Sequence, residues 1–211
     1  MTCPSDGELL ESFRRGEAGA FTTLVLLHQA TLLRHARAIL GAGSPYEDVV
    51  QEVFLRLAQT PPVLPDEARG DPRLERAHLL SWLHKVTRNC CMDTIRSEGR
   101  RRRRESEAAP GEAAPDSHSG VTTVDELDTR AAVERELAKL PVDQREVLVL
   151  RLLGDRSYKE IAEITGKKIG TVGWLVSVGL KTLAKELEPL LEGSAGRNER
   201  AGMDVVRGEV Q

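Results

Sequence analysis

Apolar residues in this chain recur every three or four positions, in stretches separated by glycine, proline and acidic residues, a pattern that predicts amphipathic helices and no strands. Residues 6–15 form a short first helix with Leu9, Leu10 and Phe13 on one face. A longer one spans 17–40, carries Phe21, Leu24, Val25, Leu27, Leu32 and Ile39, and is closed by Gly41 and Gly43. Ser44-Pro45-Tyr46-Glu47 reads as a helix start, with serine as N-cap, proline at the first helical position and glutamate three residues after the cap. The helix it opens turns Val49, Val50, Val53, Phe54 and Leu57 inward and Asp48, Gln51, Glu52, Leu55 and Arg56 outward. Four prolines and a glycine in 60–76 predict a long loop. A helix over 77–104 follows, with Leu79, Leu80, Leu83, Val86, Cys90 and Ile95 as its buried stripe and Trp82 flanking it.

Residues 105–125 are rich in Ala, Pro, Gly, Ser and acid and hold no Lys or Arg, the composition of a flexible acidic linker. Beyond it, Ala131, Ala132, Val133 and Leu137 mark a helix ended by Pro141, and VDQREVLVLRLL marks the next. Residues 157–183 then read as two helices joined by a tight turn at Gly166. Ser157 and Glu160 form a capping box, and Ile161, Ala162, Val172 and Leu175 point inward, which is helix-turn-helix spacing. Residues 191–211 lack apolar periodicity and are read as a disordered tail. The fold class is therefore all-α: two helical domains, 1–104 and 126–190, joined by the acidic linker, the second containing the helix-turn-helix.

Composition narrows the chemistry. Only 3% of the chain is aromatic, which suits helices better than a β-sandwich. Cys3, Cys90 and Cys91 show no CxxC spacing, so neither a disulfide framework nor a metal site is expected. His28 and His35, two turns apart, are read as surface or boundary residues rather than a metal pair. No apolar run reaches the length of a membrane span and no signal peptide is evident at the N-terminus, so a cytoplasmic protein is expected. No nucleophile-base pair or phosphate-binding glycine loop appears, so no catalytic residues, no cofactor and no enzyme activity are expected. The net charge of −3 hides a partition: residues 1–104 carry +3 and 105–125 carry −5. The face bearing His84, Lys85, Arg88, Asn89, Asp93 and Arg96 beside Trp82, together with the run Arg100 to Arg104, has the chemistry of phosphate contact with base stacking. Taken alone, the cationic run and the acidic face of 45–59 are each read first as solvated surface; the run and the helix face together favour nucleic acid.

Three blocks in order, YEDVVQEVFLRLAQ, LLSWLHKVTRNCCMDTIRSEGRRRR and LAKLPVDQREVLVLRLLGDRSYKEIAEITGKKIGTV, resemble the extracytoplasmic-function group of bacterial sigma factors over residues 6–187. The resemblance implies a promoter-recognition subunit that binds bacterial core RNA polymerase and promoter DNA, with an anti-sigma factor as a further candidate partner. Asp48, Gln51, Glu52 and Leu55 match the polymerase-docking face. Trp82, Lys85, Arg88, Asn89, Arg96 and Arg100 match the element that reads and opens the minus-10 strand. The loop over 60–78 matches the one that captures a flipped base, and the linker would thread the RNA-exit path. Lys167, Lys168, Thr171, Trp174, Ser177 and Lys181 remain as contacts for the minus-35 duplex. Here the chain departs from the family: the helix after Thr171 reads Val172-Gly173-Trp174-Leu175-Val176-Ser177-Val178-Gly179-Leu180, without the usual Lys and Arg. Two readings of another class stay open. One is a sigma-like interaction protein that docks on polymerase or an anti-sigma factor without selecting promoters. The other is a stand-alone repressor, against which the near-neutral second lobe speaks.

Overall fold

A computed structural model describes residues 4–41, 43–108 and 135–205, with side chains described to residue 187 except at 102 and 105–108. The described residues contain helices and no strands. They comprise α1 (Asp6–Arg14), α2 (Ala18–Leu40), α3 (Tyr46–Gln59), a 3-10 turn (Asp66–Ala68), α4 (Pro72–Ala108), α5 (Val142–Leu148), a π-helical continuation (Val149–Leu153), α6 (Tyr158–Thr165) and α7 (Ile169–Val205).

The first lobe is built on α2, which packs against α1, α3 and α4. Its core joins Leu10, Leu24, Leu32, Val53, Leu57, Leu79 and Leu83, all essentially buried. Ser5 caps α1 in a reciprocal capping box with Glu8, satisfying two otherwise orphaned amides. Asp6 and His28, both buried, meet at 3.0 Å and fasten α1 to α2. The Glu75 carboxylate accepts from the Gly70 amide at 2.9 Å and the Gly7 amide at 3.2 Å, so one buried side chain of α4 holds both the proline-rich loop and the start of α1. Burial pushes its carboxyl up, but hydrogen bonds from Ser5, Gly70 and Gly7 outweigh that and hold it below the ordinary carboxylate range.

The second lobe centres on Leu148, Leu150, Ile161 and Val172. Ser157 and Glu160 form the expected capping box, and Gly166 ends α6 in the left-handed region at φ 71°, a conformation that costs a residue with a Cβ about 1–2 kcal/mol. Arg156 is buried and braces this entry: its guanidinium donates to the Gly154 carbonyl and the Glu160 carboxylate, both at 2.8 Å. At Gly179 a Cβ would come within 2.9 Å of Leu148 Cδ1, so that glycine marks a close approach of α7 to α5.

Several local expectations are corrected. Ser44 does not cap α3; its hydroxyl donates to the Leu40 carbonyl and the cap position falls to Pro45. The loop ends earlier than expected, because Asp71 caps the amides of Arg73 and Leu74 and Pro72 opens α4. His28, His35 and His84 are fully buried rather than on the surface. Ile95 and Leu27 are exposed, while Cys91 is buried. The last helix extends to Val205, through Gly193, Gly196 and Gly202, residues of low helix propensity. Beyond Ala108, the acidic linker lies outside the described residues, as do Ala131, Ala132 and Val133.

The lobes touch. Helices α2 and α4 of the first pack against α5, its π continuation and α6 of the second, and Ala38 of α2 sits within the second lobe's core.

Candidate nucleic-acid interface

Three surfaces carry the residues singled out in the sequence. The first is the outer face of α3, which is amphipathic because valine and phenylalanine recur at helical spacing beneath it. Asp48, Gln51, Glu52 and Leu55 are exposed together there, Leu55 at 55%. Glu52 also accepts from Arg56 at 2.9 Å, one turn on, and that hydrogen bond raises the arginine's already high pKa further.

The second surface is α4, a single helix of 37 residues. Lys85, Asn89, Arg96 and Arg100 are exposed and fall on one stripe of it. Trp82 is half-buried against the first lobe's core. Arg96 is 3.1 Å from Asp93 on the surface, a pair that water screens. Arg88 departs from the group: its Nε lies 3.0 Å from the Glu146 carboxylate of α5 and only 22% of its side chain is exposed. Beside this helix, the loop over 60–71 is anchored by buried Leu64 and Ala68 and borders a cleft of ≈ 770 Å³ lined by Arg14, Arg69, Arg73 and Arg76 and by the carboxylates Asp6, Glu8, Glu11 and Glu75. Arg14 donates to the Pro62 carbonyl at 2.6 Å and ties the loop to α1.

The third surface is the start of α7. Lys168, Thr171, Trp174, Ser177 and Lys181 are exposed on one face, with Trp174 at 60%. Lys167 is separate: its ammonium lies 3.0 Å from Asp143 of α5 and is largely covered. Arg151 stacks over the Tyr158 ring at 5.7 Å at the edge of the same lobe.

The residues that sequence reasoning missed are those joining the lobes. Glu146 is fully buried, with His35 Nε2 at 3.5 Å and Arg88 at 3.0 Å. His35 and His84 meet through their Nδ1 atoms at 3.0 Å. Burial, with the neighbouring His35, holds His84 well below its ordinary pKa, so it is neutral at pH 7. Glu146 follows Asp143, Gln144 and Arg145 and directly precedes the apolar run Val147 to Leu150, so its local sequence gives no signal of burial, and the partner that a buried acid requires comes from elsewhere in the fold. Among the described residues, no group of three or more His, Cys, Asp or Glu side chains could hold a metal ion, and no helix is long and apolar enough to cross a membrane.

Comparison with known proteins agrees with this layout. The sigma-70 region 2 family model matches residues 24–101 and the sigma-70 region 4 model residues 130–183, together more than half of the chain. The chain is 27% identical over 198 residues to the RNA polymerase sigma-H factor of Pseudomonas aeruginosa, covering 90% of this chain and 98% of that one. It is 29% identical over 168 residues to the extracytoplasmic-function sigma factor SigM of Mycobacterium tuberculosis, covering 80% and 77%. With the Escherichia coli sigma-E factor identity is 26%, covering 89% and 96%. The fold is shared with the sigma factor RpoE solved with the anti-sigma factor NepR from Bartonella quintana (TM-score 0.54, 24% identity, covering 80% of this chain and 96% of that one). It is likewise shared with CnrH solved with the cytosolic domain of CnrY (TM-score 0.54, 22% identity, covering 88% and 99%). Both sigma-70 modules occur in order on two helical lobes, and the match spans between 77% and 98% of the relatives' own length: the chain belongs to the sigma-70 family, as a sigma factor of the extracytoplasmic-function group.

Proposed function

We propose that the three surfaces divide the work of a sigma factor, which binds core RNA polymerase and brings it to promoter DNA. Residues 1–104 dock and read the minus-10 element, 105–125 link, and 126–190 contact the minus-35 duplex. On α3, Asp48, Gln51, Glu52 and Leu55 give polymerase an acidic face with an apolar centre. On α4, Lys85, Arg88, Asn89, Arg96 and Arg100 contact the backbone and bases of the minus-10 strand, and half-buried Trp82 stands beside them for base contact. The cleft beside the 60–71 loop is large enough to take a base out of the stack. Nucleotide addition belongs to the polymerase; this chain acts in the cytoplasm as a non-enzymatic subunit, and an anti-sigma factor is a candidate regulator.

The observation that carries this reading is the cationic stripe Lys85, Arg96 and Arg100, with Asn89, exposed along the single helix α4. Replacing Lys85, Arg88 and Asn89 with alanine tests it. Promoter opening, read by permanganate reactivity of unpaired thymines, should disappear while polymerase binding is retained. Normal opening would refute the assigned face.

One observation favours a second reading for α7. Its exposed face presents Trp174, Leu180 and Ile169 with few cations, chemistry closer to a protein contact than to a phosphate contact. Weak minus-35 reading is the expected consequence; protection of the minus-35 duplex in footprints of the assembled holoenzyme, lost on Trp174→Ala, would instead show direct readout.

A further inference from the structure

A cavity of ≈ 220 Å³ lies where the end of α2 and the start of α3 face α5 and its π continuation. Leu33, Ala38 and Tyr46 line it from the first lobe, and Leu137, Val149 and Leu153 from the second. Its charged lining is one carboxylate, Glu47, against Arg34, Arg37 and Arg145. The three arginines are not equivalent. Arg34 and Arg37 are engaged by other contacts. Arg145 pairs with no carboxylate among the described residues: its Nη1 donates to the Ala138 carbonyl at 2.7 Å, and its Nε is buried without a hydrogen-bond partner. Burial lowers its pKa and no acid is near enough to oppose the shift, yet a guanidinium stays charged at pH 7. A cation partly removed from water with one carbonyl in return is unfavourable for the fold. A carboxylate laid along the Nε edge would offset that through charge-assisted hydrogen bonds, and the apolar wall would cover a hydrocarbon body. Inorganic phosphate would leave that wall without a partner, and a neutral hydrocarbon would leave Arg145 as it is. The volume equals that of about seven waters at about 30 Å³ each, room for a chain of about eight carbons.

We propose that this cavity binds a medium-chain fatty acid, whose carboxylate takes the Nε edge of Arg145 while its chain packs among Leu33, Tyr46, Val149 and Leu153. The site uses none of the residues assigned to polymerase or to DNA, so its test is separate from theirs. Its walls come from both lobes, so the bound acid touches α3 and α5 together.

The test uses the full chain at pH 7, titrated by isothermal calorimetry with sodium octanoate and, separately, with octanol and octylammonium chloride. Octanoate should bind at a single site, about tenfold or more tightly than octanol, the gain expected of hydrogen bonds to a charged group. Octylammonium should bind no better than octanol. Arg145→Gln should bring octanoate down to the affinity of octanol and leave octanol unchanged. Leu153→Trp, at a position 42% exposed, fills the cavity and should abolish binding of both; it keeps the test valid if Arg145→Gln fails to fold, as judged by circular dichroism. Hydrogen exchange in the presence of octanoate should slow amides in α5 and in the first turn of α3 alike. Absence of saturable octanoate binding, octanoate bound no more tightly than octanol, or octanoate binding that persists in Leu153→Trp overturns the proposal. Unchanged octanoate affinity in folded Arg145→Gln, or protection confined to one lobe, overturns it equally.

Discussion

Replacing Glu75 tests whether the proline-rich loop over 60–71 is held as the structure describes. Its carboxylate is 5% exposed and accepts from two backbone amides, Gly70 in the loop and Gly7 at the start of α1. A Cβ on Gly7 would run into this carboxylate, so the contact is tight. Hydrogen bonds to a charged group contribute about 1.5–3 kcal/mol each. In Glu75→Gln one oxygen survives and the new amide faces a backbone N–H, so one bond is lost and a donor is set against a donor. The expected loss is about 2–4 kcal/mol at pH 7, from the lost bond and the unpaired amide. The folded-state carboxyl lies below its ordinary 4.5. The stabilisation is therefore present above that value and is lost as pH falls through the folded-state pKa, so variant and wild type should converge in acid. Urea unfolding followed by circular dichroism at pH 7 and at successively lower pH measures both effects. A loss at pH 7 below about 0.5 kcal/mol, the range of ordinary surface changes, or a difference that does not shrink in acid, would refute the account of Glu75.

Alanines at Asp48, Gln51 and Glu52 should weaken binding to core polymerase while leaving the melting transition unchanged, since all three side chains are exposed; equal affinity would remove that face from the docking surface. Gly173→Ala should stabilise the chain by up to about 1 kcal/mol, because a Cβ there meets only the Tyr158 ring at 3.7 Å and alanine is the better helix former. Gly179→Ala should give no such gain, because its Cβ would crowd Leu148. Thermal unfolding of the two variants side by side distinguishes them, and equal shifts would count against the close approach of α7 to α5. Gly166→Ala should lower stability by about 1–2 kcal/mol through its left-handed backbone, and an unchanged urea midpoint would contradict that turn geometry.

Periodicity and punctuation carried the local fold well. The stripe Val49, Val50, Val53, Phe54 and Leu57 is buried as the spacing requires, and Ser157 with Glu160 forms its capping box. Local signals failed where a distant partner decides. Ser44 has every mark of an N-cap, but the Leu40 carbonyl at the end of the preceding helix takes its hydroxyl. His28 and His84 read as boundary and off-stripe residues because histidine is polar; each is buried because a partner, Asp6 and His35 respectively, arrives from another element. The exposed faces of α3, α4 and α7 were legible because polar residues at helical spacing stay on the solvent side of an amphipathic helix, except at Arg88 and Lys167, which pair with acids of α5. The junction through Glu146, Arg88 and His35 was not, because no helical period links residues on three separate helices.

The measurement that tests the central claim most directly is reconstitution of initiation. The purified chain is mixed with bacterial core RNA polymerase and the pair is given fragments of the genome the chain comes from. Discrete transcripts with defined start sites, absent when either component is omitted, are the predicted result. Stable binding without transcripts would contradict promoter selection and leave an interaction protein; absence of binding would contradict both roles.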